Sequence, residues 1–419
     1  MAEQEFQSFL QEKTKERPLN KKKLGKRAMV TIGMAVLFGL VASLTFFLLE
    51  PLYENWLHPE TPVEIIEIPE ETEDTLPEDL LVEEVQPVEI EQVIPDAITS
   101  YRDLYVNLGK LSNQISKSLV TVTGVSQNMD WFNDAYESKD QTSGLLIADN
   151  GKELLVLVHS QVLQKAEDIH VTFEDGTQLS ATVKEHDYNT NLSVLAVSKE
   201  GLGAEFLEKV EIAILGSSRP TSLLGSPVIA LGRPFGNQAS VAYGMVTSLD
   251  TTLNLIDSNY KLLTTDIYGS DHATGILVNL SGEVLGVIDQ SFNTENKNLI
   301  SAIGITELKR IIETMSNGKA GTYLGVHGTD VTPEAHEKLG VPLGAYITNV
   351  EMNSPAMNAG IQNGDIITEI KDTTIHTFQD YSEKIRDCFV GQILTIKLMR
   401  QSQNEFHEIE LMVTVEEQK

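Results

Sequence analysis

The run Ser270-Asp271-His272 contains the three residue types that nucleophilic hydrolysis of a peptide bond requires. That chemistry needs a hydroxyl nucleophile, a histidine that removes its proton, and a carboxylate that orients the histidine and stabilises its cation. Consecutive residues cannot form the hydrogen-bonded line that joins these three groups. The run by itself therefore predicts no catalytic triad, and a nucleophile must be sought in the elements that surround it.

Composition argues against several other kinds of site. The formal net charge of −30 over 419 residues argues against nucleic-acid binding, which depends on basic residues. The nine histidines show no His-x-x-x-His spacing, and Cys388 is the single cysteine, so we expect no metal, no other cofactor and no internal disulfide. The run from Gly232 to Gly236 lacks the lysine and serine of a phosphate loop.

Short β-branched and apolar runs, separated by turn signals every eight to twelve residues or so, predict an all-β barrel or sandwich. The hairpin signal Glu174-Asp175-Gly176 belongs to this pattern. The pattern alone leaves barrel and sandwich open. The predicted strands are 119–124, 144–151, 154–158, 170–173, 192–197, 228–232, 240–248 and 284–288.

Four motifs follow one another at characteristic spacings: Ser143 to Ile147, Ala230 to Gly236, Gly244 to Ser248, and Leu277 to Gly286. With them, the chain from about residue 105 to 316 resembles the trypsin-like protease domain of the HtrA/Deg family. The resemblance implies a mainly β fold, a chymotrypsin-like double β-barrel. It also implies a closing helix from about Thr306 to Ser316, with Thr306 as its cap.

The same resemblance locates the family's catalytic positions. They fall on Gln161, Asn191 and Ala273, where the family has histidine, aspartate and serine. A glutamine cannot take the proton, an asparagine carries no charge, and a methyl group cannot attack a carbonyl. The segment between Asp266 and Gly275, which would form the oxyanion hole, is one residue shorter than in the family. The resemblance thus implies a degenerate, triad-less pseudoprotease.

Neighbouring residues could in principle replace the lost groups. His159 lies two residues before Gln161 and would face the same side of a continuing strand. Ser270 or Thr274 could serve as the nucleophile and Asp187 as the acid. Each replacement requires the backbone to move by ångströms, whereas catalytic geometry tolerates only a fraction of that.

The C-terminal residues carry a second set of motifs. The run Tyr323-Leu324-Gly325-Val326, followed by Gly344 to Val350, Ser354 to Ile361 and Gly364 to Ile367, resembles a PDZ domain over residues 320–415. The resemblance implies that the first run binds a peptide C-terminal carboxylate, and that the peptide adds as a strand beside residues 326–330. A helix from Thr377 to Cys388, with a capping box at Asp380, is predicted to pack three residues inward. They are Phe378, Tyr381 and Ile385.

The N-terminal residues predict a membrane anchor. Residues 28–49 are predominantly apolar and uncharged, follow a basic run from Lys21 to Arg27, and precede a stretch without lysine or arginine until Arg102. This pattern places the N-terminus in the cytoplasm and the bulk of the chain outside; a cleavable signal peptide is the alternative. Residues 50–96 carry sixteen acidic residues and seven prolines and predict an extended spacer. We therefore expect a cytoplasmic basic tail, a transmembrane helix, an acidic linker, a protease-like domain and a PDZ domain at 1–27, 28–49, 50–100, 101–318 and 320–415.

Two functions remain after this reading. The first is a membrane-anchored extracellular pseudoprotease that binds peptide C-termini or unfolded segments as a scaffold or quality-control adaptor. It could assemble as a homo- or hetero-trimer with relatives. The second is an active serine endopeptidase that degrades misfolded envelope proteins with the displaced residues His159, Ser270 or Thr274.

Overall fold

The computed structural model describes residues 65–67, 93–129, 135–236, 239–293, 298–403 and 405–418, together with Met34. Its contacts divide the chain into two units, Met1–Pro62 and Val63–Lys419, and the description below concerns the second. The predicted anchor at residues 28–49 lies outside the described residues except for Met34. Among the helices that are described, none combines the length and apolar character that crossing a membrane requires.

Seven strands build the first half of the protease-like domain around one apolar core. They are β1 (Leu119–Met129), β2 (Ala135–Asp149), β3 (Glu153–His159), β4 (Asp168–Thr172), β5 (Gln178–Ser180), β6 (Thr182–Asp187) and β7 (Leu192–Ser198). Their order in the antiparallel sheet is β5-β4-β1-β2-β3-β7-β6. The predicted hairpin at Asp175 joins β4 to β5, and the N–H of Phe173 donates to Thr177 O at 2.9 Å.

Six further strands form a closed barrel. They are β8 (Pro227–Arg233), β9 (Ser240–Leu255), β10 (Ser258–Tyr268), β11 (Thr274–Val278), β12 (Val284–Ile288) and β13 (Leu299–Gly304). The barrel closes in the order β10-β13-β12-β11-β8-β9. Strands β9 and β10 are long enough to project a hairpin, whose tip is Ile256-Asp257, away from the barrel. That projection reaches the PDZ domain.

Three of the described helices belong to the barrels, and one of them, the helix that closes the domain, was predicted from the sequence. They are α1 (Val93–Ser116), α2 (Ala204–Leu207) and α3 (Ile305–Ser316). Helix α1 extends into the predicted linker, which was expected to end at residue 100. Helix α3 is capped by Gly304, and the predicted cap Thr306 instead accepts a hydrogen bond from the Ser218 N–H at 2.9 Å.

One segment of the acidic linker contacts the folded domain. The N–H of Ile66 donates to Asn317 Oδ1 at 3.3 Å, and Asn317 Nδ2 donates to Ile66 O at 3.1 Å. The Ile66 side chain packs against the core that both barrels share. Its neighbour Ile65 is 72% exposed. The predicted linker thus contacts the folded domain at this point, because an apolar side chain there has a core to enter.

The PDZ domain is a sheet covered by a helix. Its elements are β14 (Thr322–Tyr323), β15 (Val326–Asp330), α4 (Pro333–Leu339), β16 (Ala345–Val350), α5 (Pro355–Ala359), β17 (Ile366–Ile370), β18 (Thr373–Thr374), α6 (Phe378–Arg386), β19 (Ile393–Ser402), β20 (Glu405–Thr414) and β21 (Glu416–Glu417). The sheet order is β15-β16-β17-β19-β20, so β15 is an edge strand. The capping box of α6 at Thr377 and Asp380 is present, and its predicted inward side chains are at most 1% exposed.

Candidate functional site

The position predicted for the histidine lies just beyond strand β3. Residues Ser160–Val162 form a turn of 3₁₀-helix, so the alternation of the strand stops at His159. Gln161 is consequently exposed, and it does not share a face with His159 as a continuing strand would require. The change of chain direction at Ser160 separates Gln161 from His159, the residue considered as its replacement.

The position predicted for the aspartate adopts a left-handed backbone conformation. Asn191 has a φ of 53°, which asparagine tolerates better than most residues. Its carbonyl accepts the Ser160 N–H at 2.8 Å, so the first two predicted positions lie on adjacent segments. Asp187, the proposed substitute acid, is 6% exposed and accepts two hydrogen bonds from Thr190, at 2.8 Å from the N–H and 2.5 Å from the hydroxyl. Burial raises the pKa of Asp187.

The position predicted for the nucleophile belongs to the core of the second barrel. Ala273 is 3% exposed, and its methyl group packs in a cluster with Ile267 and Leu277. Its N–H donates to Ser270 O at 3.1 Å and so closes a turn. An oxyanion hole uses backbone N–H groups that point at the substrate. Here the amide at the nucleophile position is already bonded within its own loop.

Further hydrogen bonds fix that loop in place. The Gly269 N–H donates to Asn298 O at 2.8 Å, and the Ser270 N–H donates to Pro234 O at 2.9 Å. The Ser270 hydroxyl accepts the His272 N–H at 3.1 Å. A Cβ added to Gly236 would come within 3.0 Å of Ser270 Oγ, so the neighbouring turn packs directly against this serine. Ser270 therefore caps a turn, as expected for a residue between two strands.

The two other proposed substitutes contact different parts of the domain. His159 Nε2 lies 3.0 Å from Ile288 O, and its Nδ1 lies 3.9 Å from the carboxylate of Asp289. The Thr274 hydroxyl accepts the Ser143 N–H at 3.4 Å. A void of about 10 Å³ beside His159 is just large enough for one water. Among the described residues, His159 forms no hydrogen bond with Ser270 or Thr274.

One serine–histidine contact was missed by the sequence analysis. Ser160 Oγ lies 2.8 Å from His186 Nδ1 and 2.8 Å from Ser193 Oγ. Ser160 is 6% exposed and Ser193 is 1% exposed, so a polypeptide substrate cannot reach either hydroxyl. The contact joins residues far apart in sequence, and no local motif indicates it.

The carboxylate-binding loop of the PDZ domain already contains a carboxylate. Asp257, at the tip of the β9–β10 hairpin, accepts the N–H groups of Leu324 and Gly325 on Oδ2, both at 2.8 Å. Its Oδ1 accepts the Val326 N–H at 3.1 Å and the Tyr381 hydroxyl at 2.6 Å. Three residues of the predicted peptide site, Tyr323 to Val326, thus donate to one side chain.

These four donors surround a deeply buried group. Asp257 is 7% exposed and Tyr381 is fully buried. Burial raises the pKa of Asp257, while the hydrogen bonds from Gly325 and Tyr381 act in the opposite direction. Burial and the nearby Asp257 together raise the pKa of Tyr381, so its hydroxyl stays protonated and donates. No motif marked Asp257, because its partners lie in another domain.

A larger cavity lies beside this contact, between the two halves of the protease-like domain, α3 and the end of α6. Its volume is about 500 Å³, and its walls include both polar and apolar side chains. His186, Tyr260, Arg386 and Cys388 line it. No cluster of histidine, cysteine, aspartate or glutamate that could bind a metal occurs among the described residues.

Comparisons with known proteins agree with this architecture. Residues 142–287 match the family model of a trypsin-like peptidase domain, and residues 322–411 match that of a PDZ domain. The putative serine protease HhoB of Synechocystis sp. is 30% identical over 274 residues, covering 62% of this chain and 63% of that protein. A probable periplasmic DegP-like serine endoprotease of Rickettsia prowazekii is 28% identical over 340 residues, which cover 78% of this chain and 62% of that protein. The chain thus spans a little over three fifths of the length of these curated relatives.

Among solved structures, the HtrA-type protease AlgW with decapeptide has a TM-score of 0.54 at 19% identity, covering 74% of this chain and 98% of that one. At this identity the likeness concerns the fold. Fold and motifs together define a trypsin-like peptidase barrel followed by a PDZ domain. The chain belongs to the HtrA/Deg family.

Proposed function

We propose that this chain is an HtrA-like pseudoprotease, which binds peptides or proteins as a scaffold or quality-control adaptor and does not cleave them. The observation that carries the proposal is the burial and backbone bonding of Ala273. Its side chain lies in the core, and its N–H closes a turn with Ser270. A nucleophile and an oxyanion hole must both be directed at the substrate carbonyl. Gln161 and Asn191 supply neither a base nor a charge.

Binding, in this proposal, belongs to the PDZ domain. The donors of Leu324, Gly325, Val326 and Tyr381 converge on one carboxylate, which is the chemistry of a peptide C-terminus. AlgW, a structural neighbour, has been solved with decapeptide and with tripeptide. The ligands we propose are therefore C-termini of peptides or of unfolded proteins.

The proposal also includes a place in the cell. The apolar residues 28–49 with their preceding basic run support a single-pass cell-membrane anchor, with a cytoplasmic N-terminus and an extracellular bulk. An exposed aromatic patch supports assembly with copies or relatives, as in a homo- or hetero-trimer. In it the rings of Tyr101 and Tyr105 lie 4.9 Å apart and those of Tyr105 and Tyr243 6.0 Å apart.

The test uses the full-length chain in detergent, with casein and a peptide library as substrates and a fluorophosphonate probe for activated serines. An active trypsin-like protease is run as the positive control. We expect neither turnover nor labelling, and we expect capture of peptides with free C-termini. Turnover above background by the wild-type chain would contradict the proposal.

The second candidate is an active serine endopeptidase with displaced residues. The relatives are described as serine proteases, which favours it. The variants Ser270→Ala, Thr274→Val and His159→Ala separate the two functions. An endopeptidase with displaced residues loses its turnover in at least one of them, whereas a scaffold shows the same absence of turnover in all.

A further inference from the structure

The tip of the β9–β10 hairpin lies where a peptide would lie. Strand β15 is the terminal strand of its sheet, and the edge of such a strand offers unpaired backbone groups. The Asp257 N–H donates to Val326 O at 2.7 Å, and Asn259 Nδ2 donates to Gly328 O at 3.1 Å. The hairpin thus bonds the backbone of β15 as well as the carboxylate-binding loop.

The charge of Asp257 is matched by donors and by no cation. Its four partners are three backbone N–H groups and the Tyr381 hydroxyl, all neutral, and no ion pair of Asp257 occurs among the described residues. Burying a carboxylate is unfavourable unless such donors are already in place. A hairpin that served only to join two domains would be better stabilised by an apolar tip.

We propose that Asp257 is an intramolecular substitute for a peptide C-terminal carboxylate, and that a peptide enters the PDZ groove only by displacing the hairpin. The inference rests on the proposed function for its class of ligand and adds how access to that site is controlled. Two carboxylates cannot accept the same four hydrogen bonds. Binding of the hairpin and of a peptide is therefore mutually exclusive.

Strand β15 and helix α6 pack closely against each other. A Cβ added to Gly328 would meet Phe378 Cε2 at 2.3 Å, so the ring of Phe378 lies directly against β15. Phe378 and Tyr381 are both fully buried. Departure of the hairpin would free the Tyr381 hydroxyl and the edge of β15 at the same time. Opening is thus a single event that exposes the loop and the strand together.

The backbone conformation of Asp257 determines which substitutions can test the proposal without straining the hairpin. Its φ of 57° suits glycine and asparagine, so Asp257→Gly and Asp257→Asn remove the charge without a new backbone strain. Asp257→Asn also keeps the shape of the side chain, which protects the test against a variant that fails to fold. Asp250→Ala is the matched control, because Asp250 is an exposed acidic residue on the same hairpin.

Two measurements on the full-length chain test the proposal. Hydrogen–deuterium exchange follows the amides of Leu324, Gly325 and Val326, which we expect to exchange at least about tenfold faster in Asp257→Gly than in wild type or Asp250→Ala. In Asp257→Asn, the same amides should exchange faster than in wild type but more slowly than in Asp257→Gly.

The second measurement is fluorescence polarisation with a labelled pool of random decapeptides that have free C-termini, and with the same pool amidated at the C-terminus. We expect Asp257→Gly to bind the free pool about tenfold or more tightly than wild type, and neither protein to bind the amidated pool.

Each other outcome has a definite meaning. Equal exchange in wild type and Asp257→Gly would overturn the proposal, because the carboxylate would then not occupy the loop in solution. Equal peptide affinity of wild type and Asp257→Gly would overturn it as well. Faster exchange in Asp257→Gly without peptide binding by either protein would support the occupancy by Asp257. That result would overturn displacement by peptides, and the proposed peptide capture with it.

Discussion

At the scale of single residues, the proposed absence of catalysis rests on backbone contacts as well as on the three residue types at the predicted positions. Ala273 is a core residue whose N–H is bonded to Ser270 O, so this amide is not free to bind a substrate carbonyl. Mutational restoration of side chains cannot rebuild an oxyanion hole whose donors point elsewhere.

This argument predicts the result of a restoration experiment. The triple variant Gln161→His, Asn191→Asp, Ala273→Ser regains the side chains of a triad. We expect no casein hydrolysis and no fluorophosphonate labelling above wild type, because the serine hydroxyl would lie in the core. We also expect Ala273→Ser to lower the free energy of unfolding by about 1–3 kcal/mol, the cost of an unsatisfied buried hydroxyl. Activity in the triple variant would show that the loop rearranges, and would refute this explanation.

At the scale of elements, helix α6 contacts both the Asp257 carboxylate in the PDZ loop and the end of strand β15. Its N-terminus is fixed by the capping box of Thr377 and Asp380, and one turn later Tyr381 donates to Asp257. Asp330, at the end of β15, accepts the Phe378 N–H at 2.7 Å. The cap therefore fixes the position of the hydroxyl that completes the carboxylate-binding cradle.

The cap gives a measurable prediction. Thr377→Ala removes the acceptor of the Asp380 N–H, and we expect it to lower the free energy of unfolding by about 1 kcal/mol. Thr377→Ser keeps the hydroxyl and should lower it by much less. Urea unfolding followed by circular dichroism measures both. An equal loss in the two variants would show that the threonine methyl, and not the cap, stabilises the helix.

The linker contact gives a second prediction at this scale. Ile66→Ala removes apolar atoms from the shared core and should lower the free energy of unfolding by about 1–2 kcal/mol. Ile65→Ala is its control, since Ile65 is 72% exposed and should change stability by less than about 0.5 kcal/mol. If the two variants lose equal stability, Ile66 does not pack on the core in solution.

Local sequence patterns predicted individual strands and caps, but they did not predict features that depend on contacts between distant residues. The short apolar runs and turns of β3, β7 and β8, and the capping box of α6, follow from neighbouring residues, and they were predicted from sequence. Strand β10 mixes polar and apolar residues and was missed, because its burial is set by closure of the barrel. Asp257 and Ile66 were missed for the same reason, since each gains its role from a partner in another segment of the chain.

At the scale of the whole molecule, three carboxyl groups among the described residues have a pKa above its usual range because burial disfavours their charged form. Burial raises the pKa of Asp187, Asp257 and Glu307. For Glu307, the charges of Arg219 and Lys261 act in the opposite direction but do not reverse the shift. A group whose pKa is higher in the folded state binds its proton more tightly there. The stability that it contributes is present below its unfolded pKa and is lost as the pH rises through the folded pKa.

Glu307→Gln isolates one of these groups. The free energy of unfolding of wild type minus that of Glu307→Gln should be highest near pH 4 and should fall as the pH rises toward about 7. Urea unfolding at a series of pH values measures this difference, and the subtraction removes the contribution of the other acidic groups. A difference that rises with pH would mean that the folded protein prefers the ionised form.

The bonding of Asp257 to the PDZ loop has a quantitative consequence for any partner. A ligand that is part of the same chain competes at an effective concentration that can reach the millimolar range. If the hairpin is released in about one molecule in a hundred, a peptide with an intrinsic Kd of about 1 μM shows an apparent Kd of about 100 μM. Sparse C-termini then stay unbound, while abundant or clustered ones are retained. The chain would respond to how many such ends accumulate around it, and its sensitivity would be set by the strength of the hydrogen bonds between the hairpin and the PDZ domain.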